Sequence, residues 1–263
     1  MDFSLVLVLL TAAMAAIWAL DVLWLKPRRE ASAIASGEAA QEPALVEFSR
    51  SFLPIVIVVL LIRSFAYEPF RIPSSSMMPT LRVGDFIFVS KFSYGLRLPV
   101  LNTKVLSTGE PERGDVAVFR LPSDPGTNYI KRVVGLPGDV VSMRNKQLWI
   151  NGEPVPSALL GETVEIECGG FWFDAQVGVE TLGDHSHQVF LSEQRDRPSP
   201  FLDRPVPPGQ YLVMGDNRDC SRDGRIIGYI PESSMVGRAV RIWMNWDAES
   251  KRPLWHRIGD PIE

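Results

Sequence analysis

A chain of 263 residues with a formal net charge of −4 is long enough for a sizeable core, and it carries no basic excess that would point to nucleic acid. Its two cysteines, Cys168 and Cys220, do not have zinc-type spacing. In an oxidising compartment they can pair, and two separate thiols are the alternative.

Phe3 to Leu25 is almost wholly apolar, with Asp21 near its far end. About 20 such residues span a bilayer core. A cleaved signal peptide would start with basic residues and have a shorter apolar run, whereas the N-terminus here carries Asp2 and no Lys or Arg. Lys26, Arg28 and Arg29 follow, so the positive-inside bias puts that end in the cytoplasm and Met1 outside. Glu30 to Arg50, with Gly37 and Pro43, predicts a short polar cytoplasmic linker. Phe48 to Tyr67 is the second candidate span, with Arg63 placed to snorkel and Tyr67 at the interface. A buried core helix is the alternative for this segment. Two spans return the chain to the outside from about Glu68.

Next comes Ile72-Pro73-Ser74-Ser75-Ser76-Met77-Met78-Pro79-Thr80, three serines between prolines that fix φ and disfavour a continuing helix. A serine on such a loop is a candidate nucleophile if a base lies near it, and a turn or capping serine otherwise. An extended chain of about ten residues reaches at most ~35 Å, which keeps this loop at or near the membrane surface.

Short runs rich in Val, Ile and aromatics then predict strands at Asp85–Val89, Val116–Phe119, Tyr129–Val134, Val140–Met143, Gln147–Ile150, Tyr211–Met214 and Val236–Trp243. Tyr94 to Gly109 reads as a hairpin excursion, and no long amphipathic helix follows Tyr67. The expected fold class is mainly β, with two N-terminal transmembrane helices followed by a multi-sheet β domain. The expected division is 1–25 and 49–67 as spans, 26–48 as linker, 68–139 with 209–263 as β core, and 140–208 as an inserted smaller β subdomain. That insert holds Cys168-Gly169-Gly170-Phe171-Trp172-Phe173 and the polar stretch Gly183 to Arg197, and prolines 198, 200, 205, 207 and 208 close it.

Of the three histidines, His185 and His187 sit in a polar stretch read as a solvated loop, with a metal-binding pair as the alternative, and His256 stands alone, so a Ser-His-Asp triad has little support. A lysine is the other route to a base, because burial disfavours the ammonium and a neutral amine can deprotonate a serine. Lys131, in the apolar run Tyr129-Ile130-Lys131-Arg132-Val133-Val134, is the candidate. Alternation puts Lys131 and Arg132 on opposite faces, so one can point inward, and an exposed edge strand is the alternative. The last motif, Gly215-Asp216-Asn217-Arg218-Asp219-Cys220-Ser221-Arg222-Asp223-Gly224-Arg225, reads either as an Asx-rich surface loop or as a site loop. In the second reading Ser221 orients an amine and an Asp223–Arg225 pair braces the turn.

The serine loop, Arg113-Gly114-Asp115, the Tyr129–Arg132 run with Gly135-Leu136-Pro137-Gly138-Asp139, and the Gly215–Asp223 loop together resemble the ordered motif boxes of bacterial type I signal peptidases. The likeness covers both spans and the β core, and it is weakest over 140–208. It implies a β catalytic domain on the outer face of the cytoplasmic membrane that removes signal peptides from exported preproteins by Ser–Lys dyad catalysis, cutting after small residues. By that likeness Ser76 is the nucleophile, Lys131 the general base and Ser74 an oxyanion donor. Ser221, Asp223 and Arg225 support the lysine, and Phe70, Ile72 and Ile130 line the substrate pockets. No cofactor or metal is implied. The implied partners are preproteins, membrane phospholipid and, by proximity, the secretion translocon. A narrow maturation protease and a tethered binding domain without catalysis are the competing readings.

Overall fold

The computed structural model describes residues 3–37, 39–100, 103–192, 201–247 and 251–263. Part of the Gly183–Arg197 stretch, together with Pro198 and Pro200, lies outside the described residues, as does Asp2.

Two compact units divide the described chain: the N-terminal residues to Tyr67 with Leu96–Leu106, and Glu68–Gly95 with Ser107–Glu263. In the first unit, two helices are long and apolar enough to cross a membrane, Phe3–Ser36 and Ala44–Ala66. The first helix continues past Leu25 into the stretch expected to be linker. Residues 26 to 36 hold Ala, Arg, Lys and Glu, which favour helix, and the turn stops only at Gly37, where φ is +72°. Asp21 is buried in this helix and pairs with Arg29, with a 3.0 Å hydrogen bond from Nη2 to Oδ2.

The second unit is built from strands. In chain order the strands of the protein are β1 Tyr67–Arg71, β2 Asp85–Ser90, β3 Leu96–Arg97, β4 Lys104–Leu106, β5 Val116–Leu121, β6 Asp124–Gly135, β7 Val140–Arg144 and β8 Gln147–Ile150. They continue with β9 Glu153–Pro154, β10 Ser157–Cys168, β11 Phe171–Leu182, β12 His185–Leu191, β13 Phe201–Pro205, β14 Gln210–Met214, β15 Ile230–Pro231 and β16 Met235–Asn245. The main sheet has seven strands in the order β1-β2-β16-β5-β6-β14-β15. Strands β7 to β13 form two smaller sheets, β13-β7-β8-β9 and β10-β11-β12. The fold is mainly β after two apolar helices, as expected, and β3 with β4 is the hairpin foreseen between Tyr94 and Gly109.

The position of β6 sets the surroundings of Lys131 and Arg132. It lies between β5 and β14, with Ala117 opposite Lys131 and Met214 opposite Arg132. Apolar side chains cover both faces of this part of the sheet. Val116, Val118 and Ile130 pack with Ile72, Met77 and Leu81, whereas Ala117, Phe119 and Val133 pack with Tyr211 and Val213. β6 is therefore not an edge strand, and neighbours that alternate between its faces are both buried.

Candidate active site

Ser74, Ser75 and Ser76 enter a single 3₁₀ turn, Ser75–Met77, from an extended residue at Ser74. Met77 is fully buried beside Ile72 and anchors the turn in the sheet core. Ser76 is buried to 9% exposure, and its Oγ lies 2.7 Å from Nζ of Lys131. Ser74 Oγ lies 3.3 Å from Ser76 Oγ.

Lys131 is 4% exposed and also donates to the Ile130 carbonyl at 2.6 Å. Burial holds its pKa down from 10.5 to about 8, against the opposing pull of the Asp223 and Asp216 carboxylates. About a tenth of the amine is therefore neutral at pH 7, and about half at pH 8. A neutral amine in contact with a buried hydroxyl can accept its proton.

The Gly215–Arg225 loop closes the other side. A Cβ at Gly215 would come 2.2 Å from Ser221 Oγ and 2.5 Å from the Ser76 carbonyl oxygen, so only glycine lets these two serine segments meet. Asn217 ties them further: its backbone N–H donates to the Ser76 carbonyl at 3.2 Å and its Nδ2 to the Ser75 carbonyl at 3.1 Å. Asp223 accepts from the Gly215 N–H at 2.9 Å and from Arg225 Nε and Nη2, each at 2.8 Å. Burial pushes the Asp223 carboxyl up, but Arg225, the Gly215 N–H and Ser221 outweigh it and hold its pKa below the usual value. Arg225 also donates to the Arg218 carbonyl at 2.5 Å, which locks the turn that carries Ser221.

The sequence-predicted residues thus converge. Ser76 is in contact with both Ser74 and Lys131, Ser221 meets the Ser76 segment across Gly215, and Asp223 and Arg225 form the expected pair. Ile72 and Ile130 are buried in one cluster beside the turn, with Phe70 partly buried against it.

Two features escaped the sequence reading, and a third, the cysteine pairing, was left open by it. Arg132 is fully buried and holds Asp216 bidentately, Nε to Oδ1 at 2.9 Å and Nη2 to Oδ2 at 2.8 Å, while Thr80 Oγ1 donates to Asp216 Oδ2 at 2.5 Å. Three motif boxes are joined in this contact, and their co-occurrence was the only signal for it. Second, Cys168 and Cys220 form a disulfide. It fixes the end of β10 to the residue before Ser221. Ser75 Oγ donates to the Glu167 carbonyl at 3.2 Å and lies 3.6 Å from Cys220 Sγ.

Third, His185-Ser186-His187 is not a solvated loop but the start of β12, with His187 opposite Glu180 on β11. Alternation buries His187, with Nε2 at 3.7 Å from Glu180 Oε1 and 3.8 Å from Asp216 Oδ1. Burial and the Arg132 guanidinium lower its pKa to about 4, with Asp216 and Glu180 opposing and Arg218 assisting. Arg218 itself is held by Glu180, including a 2.8 Å bond from Nη1 to Oε2. His187 is therefore part of the support behind the loop, and it makes no contact that would let it replace Lys131.

Residues 45–244 match the protein family described as Signal peptidase, peptidase S26. A curated protein of Pseudomonas fluorescens named Signal peptidase I is 46% identical over 98% of both chains. Its namesake in Pseudomonas aeruginosa is 43% identical over 98% of both. A solved signal peptidase I from Enterococcus faecalis is 26% identical, with 49% of this chain and 96% of that one covered, at a TM-score of 0.30.

Proposed function

The chain belongs to the signal peptidase family, peptidase S26, and from that premise we propose that it removes signal peptides with Ser76 as nucleophile and Lys131 as general base. The observation that carries the reading is the 2.7 Å contact between Lys131 Nζ and Ser76 Oγ, both buried, with no carboxylate bonded to the amine among the described residues. One N–H of the neutral amine goes to the Ile130 carbonyl, which leaves the lone pair for the Ser76 hydroxyl. Ser76 Oγ attacks the scissile carbonyl as Lys131 takes its proton. Lys131 then returns the proton to the leaving amine, and water hydrolyses the acyl-enzyme by the same route in reverse.

Charge builds on the carbonyl oxygen during attack, and donors aimed at it lower the barrier most. The Ser76 backbone N–H and the Ser74 hydroxyl take this role. Ser221 orients the lysine amine, and the Asp223–Arg225 pair holds Ser221 in place. Phe70, Ile72 and Ile130 line shallow apolar pockets that admit alanine and exclude bulky side chains, so the cut falls after small residues.

The same reading places residues 68–139 and 209–263, with the insert 140–208, on the extracytoplasmic side of the cytoplasmic membrane. There they meet preproteins at the phospholipid surface, close to the translocon. Incubation of the purified protein with several unrelated preproteins tests the chemistry. Wild type should release the signal peptide, and Ser76→Ala and Lys131→Ala should not. Full activity in Ser76→Ala would end the proposal. External protease added to sealed right-side-out vesicles tests the orientation, and protection of the β unit would overturn it.

A further inference from the structure

We propose that the tip of the β10–β11 hairpin, with Phe171 and Trp172, is a docking surface for the segment of the preprotein that follows the cut. The proposal rests on the reading of Ser76 as nucleophile and of Phe70, Ile72 and Ile130 as pockets for residues before the cut.

The hairpin closes at Gly169 and Gly170, both at positive φ, with Cys168 opposite Phe171 and Glu167 opposite Trp172. Phe171 is 69% exposed and Trp172 is 60% exposed. Neither is needed for the hairpin's own packing, which uses Ile166, Phe173, Ala175, Val177 and Phe190. Strand alternation gives Phe171 the same face as Phe173, the face that packs on Met78 and Cys220. Phe171 therefore prolongs this apolar surface beyond the disulfide and into solvent, and Trp172 flanks it from the opposite face of the tip.

The tip is also fixed in place. The disulfide holds Cys168 to Cys220, and the Ser75 hydroxyl holds the Glu167 carbonyl. The two exposed aromatics are thus the direct cross-strand partners of the two residues that touch the serine loop and the Ser221 loop. Paired strands lie about 5 Å apart and an extended chain advances about 3.3 Å per residue. A substrate leaving Ser76 in extended form reaches the tip within roughly three to five residues. The side is set by the packing. The pockets before the cut cluster with Met77, whereas the hairpin residues just below the tip, Cys168 and Phe173, cluster with Met78 and Cys220.

Charge selects the partner. The segment Ser157–Leu182 contains no Lys or Arg, and Glu162, Glu165, Glu167 and Asp174 on it are exposed. Such a rim repels anionic headgroups and favours a polypeptide with apolar or basic side chains. Exposed aromatic residues beside a polar rim are the usual anchors of such a contact.

Two peptides test the proposal with the purified full chain. They share the residues before the cut. One ends two residues after it, and the other continues for about ten, with an apolar and a basic residue at the third to fifth positions. The quantity read is kcat/KM for the long peptide divided by that for the short one. Wild type should favour the long peptide by about tenfold, the effect of one good aromatic anchor. In Phe171→Ala/Trp172→Ala the ratio should fall to near one, and in Phe171→Trp/Trp172→Phe it should recover. A wild-type ratio of one, an unchanged ratio in the alanine variant, or equal losses on both peptides would overturn the proposal. A defect seen only when vesicles of anionic phospholipid are present would assign the tip to lipid and overturn it too. If wild type cuts neither peptide and matches Ser76→Ala, the underlying reading of the site fails first.

Discussion

Lys131 and Arg132 are neighbours in one strand, both are buried, and their surroundings are opposite in kind. Arg132 has a carboxylate on two of its nitrogens and the Gly114 carbonyl on a third. Lys131 has a hydroxyl and a carbonyl, both neutral. A guanidinium cannot give up its proton in a protein, so buried Arg132 requires Asp216. An amine can, so with no bonded carboxylate at Lys131 among the described residues, burial favours the neutral amine, the form that can take a proton. The same sheet thus supplies a rigid charged brace on one side and a proton acceptor on the other. The difference lies in which oxygen each side chain meets.

The strongest way to break this contrast is to make the two positions alike. Lys131→Arg keeps length and charge but cannot deprotonate, so preprotein cleavage should become undetectable; near-normal turnover would remove the distinction. On the other side, Asp216→Asn leaves Arg132 buried without its counter-charge. That should destabilise the protein by about 3–5 kcal/mol, read as a lower urea midpoint at unchanged slope. Ser74→Ala removes one oxyanion donor and should lower kcat by about 10²–10³, with KM little changed.

A smaller and sharper test is titration. With the Lys131 pKa near 8, the cleavage rate should rise about tenfold per pH unit below that value and level off above it. Asp223→Asn should move the midpoint to lower pH, because that carboxylate holds the amine's pKa up. Stability carries the same sign. Between about 8 and the ordinary 10.5, the unfolded chain binds the proton that the folded chain releases, so stability should rise with pH across that window. The rise should vanish in Lys131→Met. The smallest effect concerns His187, whose pKa is about 4 against an ordinary 6.5. Stability should fall as pH drops through that interval, and His187→Gln should flatten the fall, as followed by thermal midpoints at a series of pH values.

The local features of the chain were legible in the sequence for local reasons. Prolines at 73 and 79 marked the serine loop as a turn, and Val- and Ile-rich runs marked the strands of the main sheet. The residues that join the motif boxes were less so. Alternation separates Lys131 from Arg132, but only the placement of β6 between β5 and β14 buries both. His187 looks solvated beside Gly183, Asp184 and Ser186 until pairing with β11 sets it against Glu180 and Asp216. The Cys168–Cys220 link and the Arg132–Asp216 pair each join segments far apart in the chain, and no spacing rule reports that kind of proximity. The first helix ran past its expected end because the linker's Ala, Arg and Glu favour helix, and only Gly37 supplied the stop.

The bonds from Asn217 to the carbonyls of Ser75 and Ser76 bear on the order in which the protein comes together. Asn217 Nδ2 and Ser75 are 142 positions apart. During synthesis the serine turn emerges early, the lysine strand comes next, and the glycine that admits Ser221 arrives only at 215. Contacts of such long separation close late and slowly, because the entropy of the intervening chain must be overcome first. A growing chain therefore displays Ser76 for most of its synthesis without the loop that seats it.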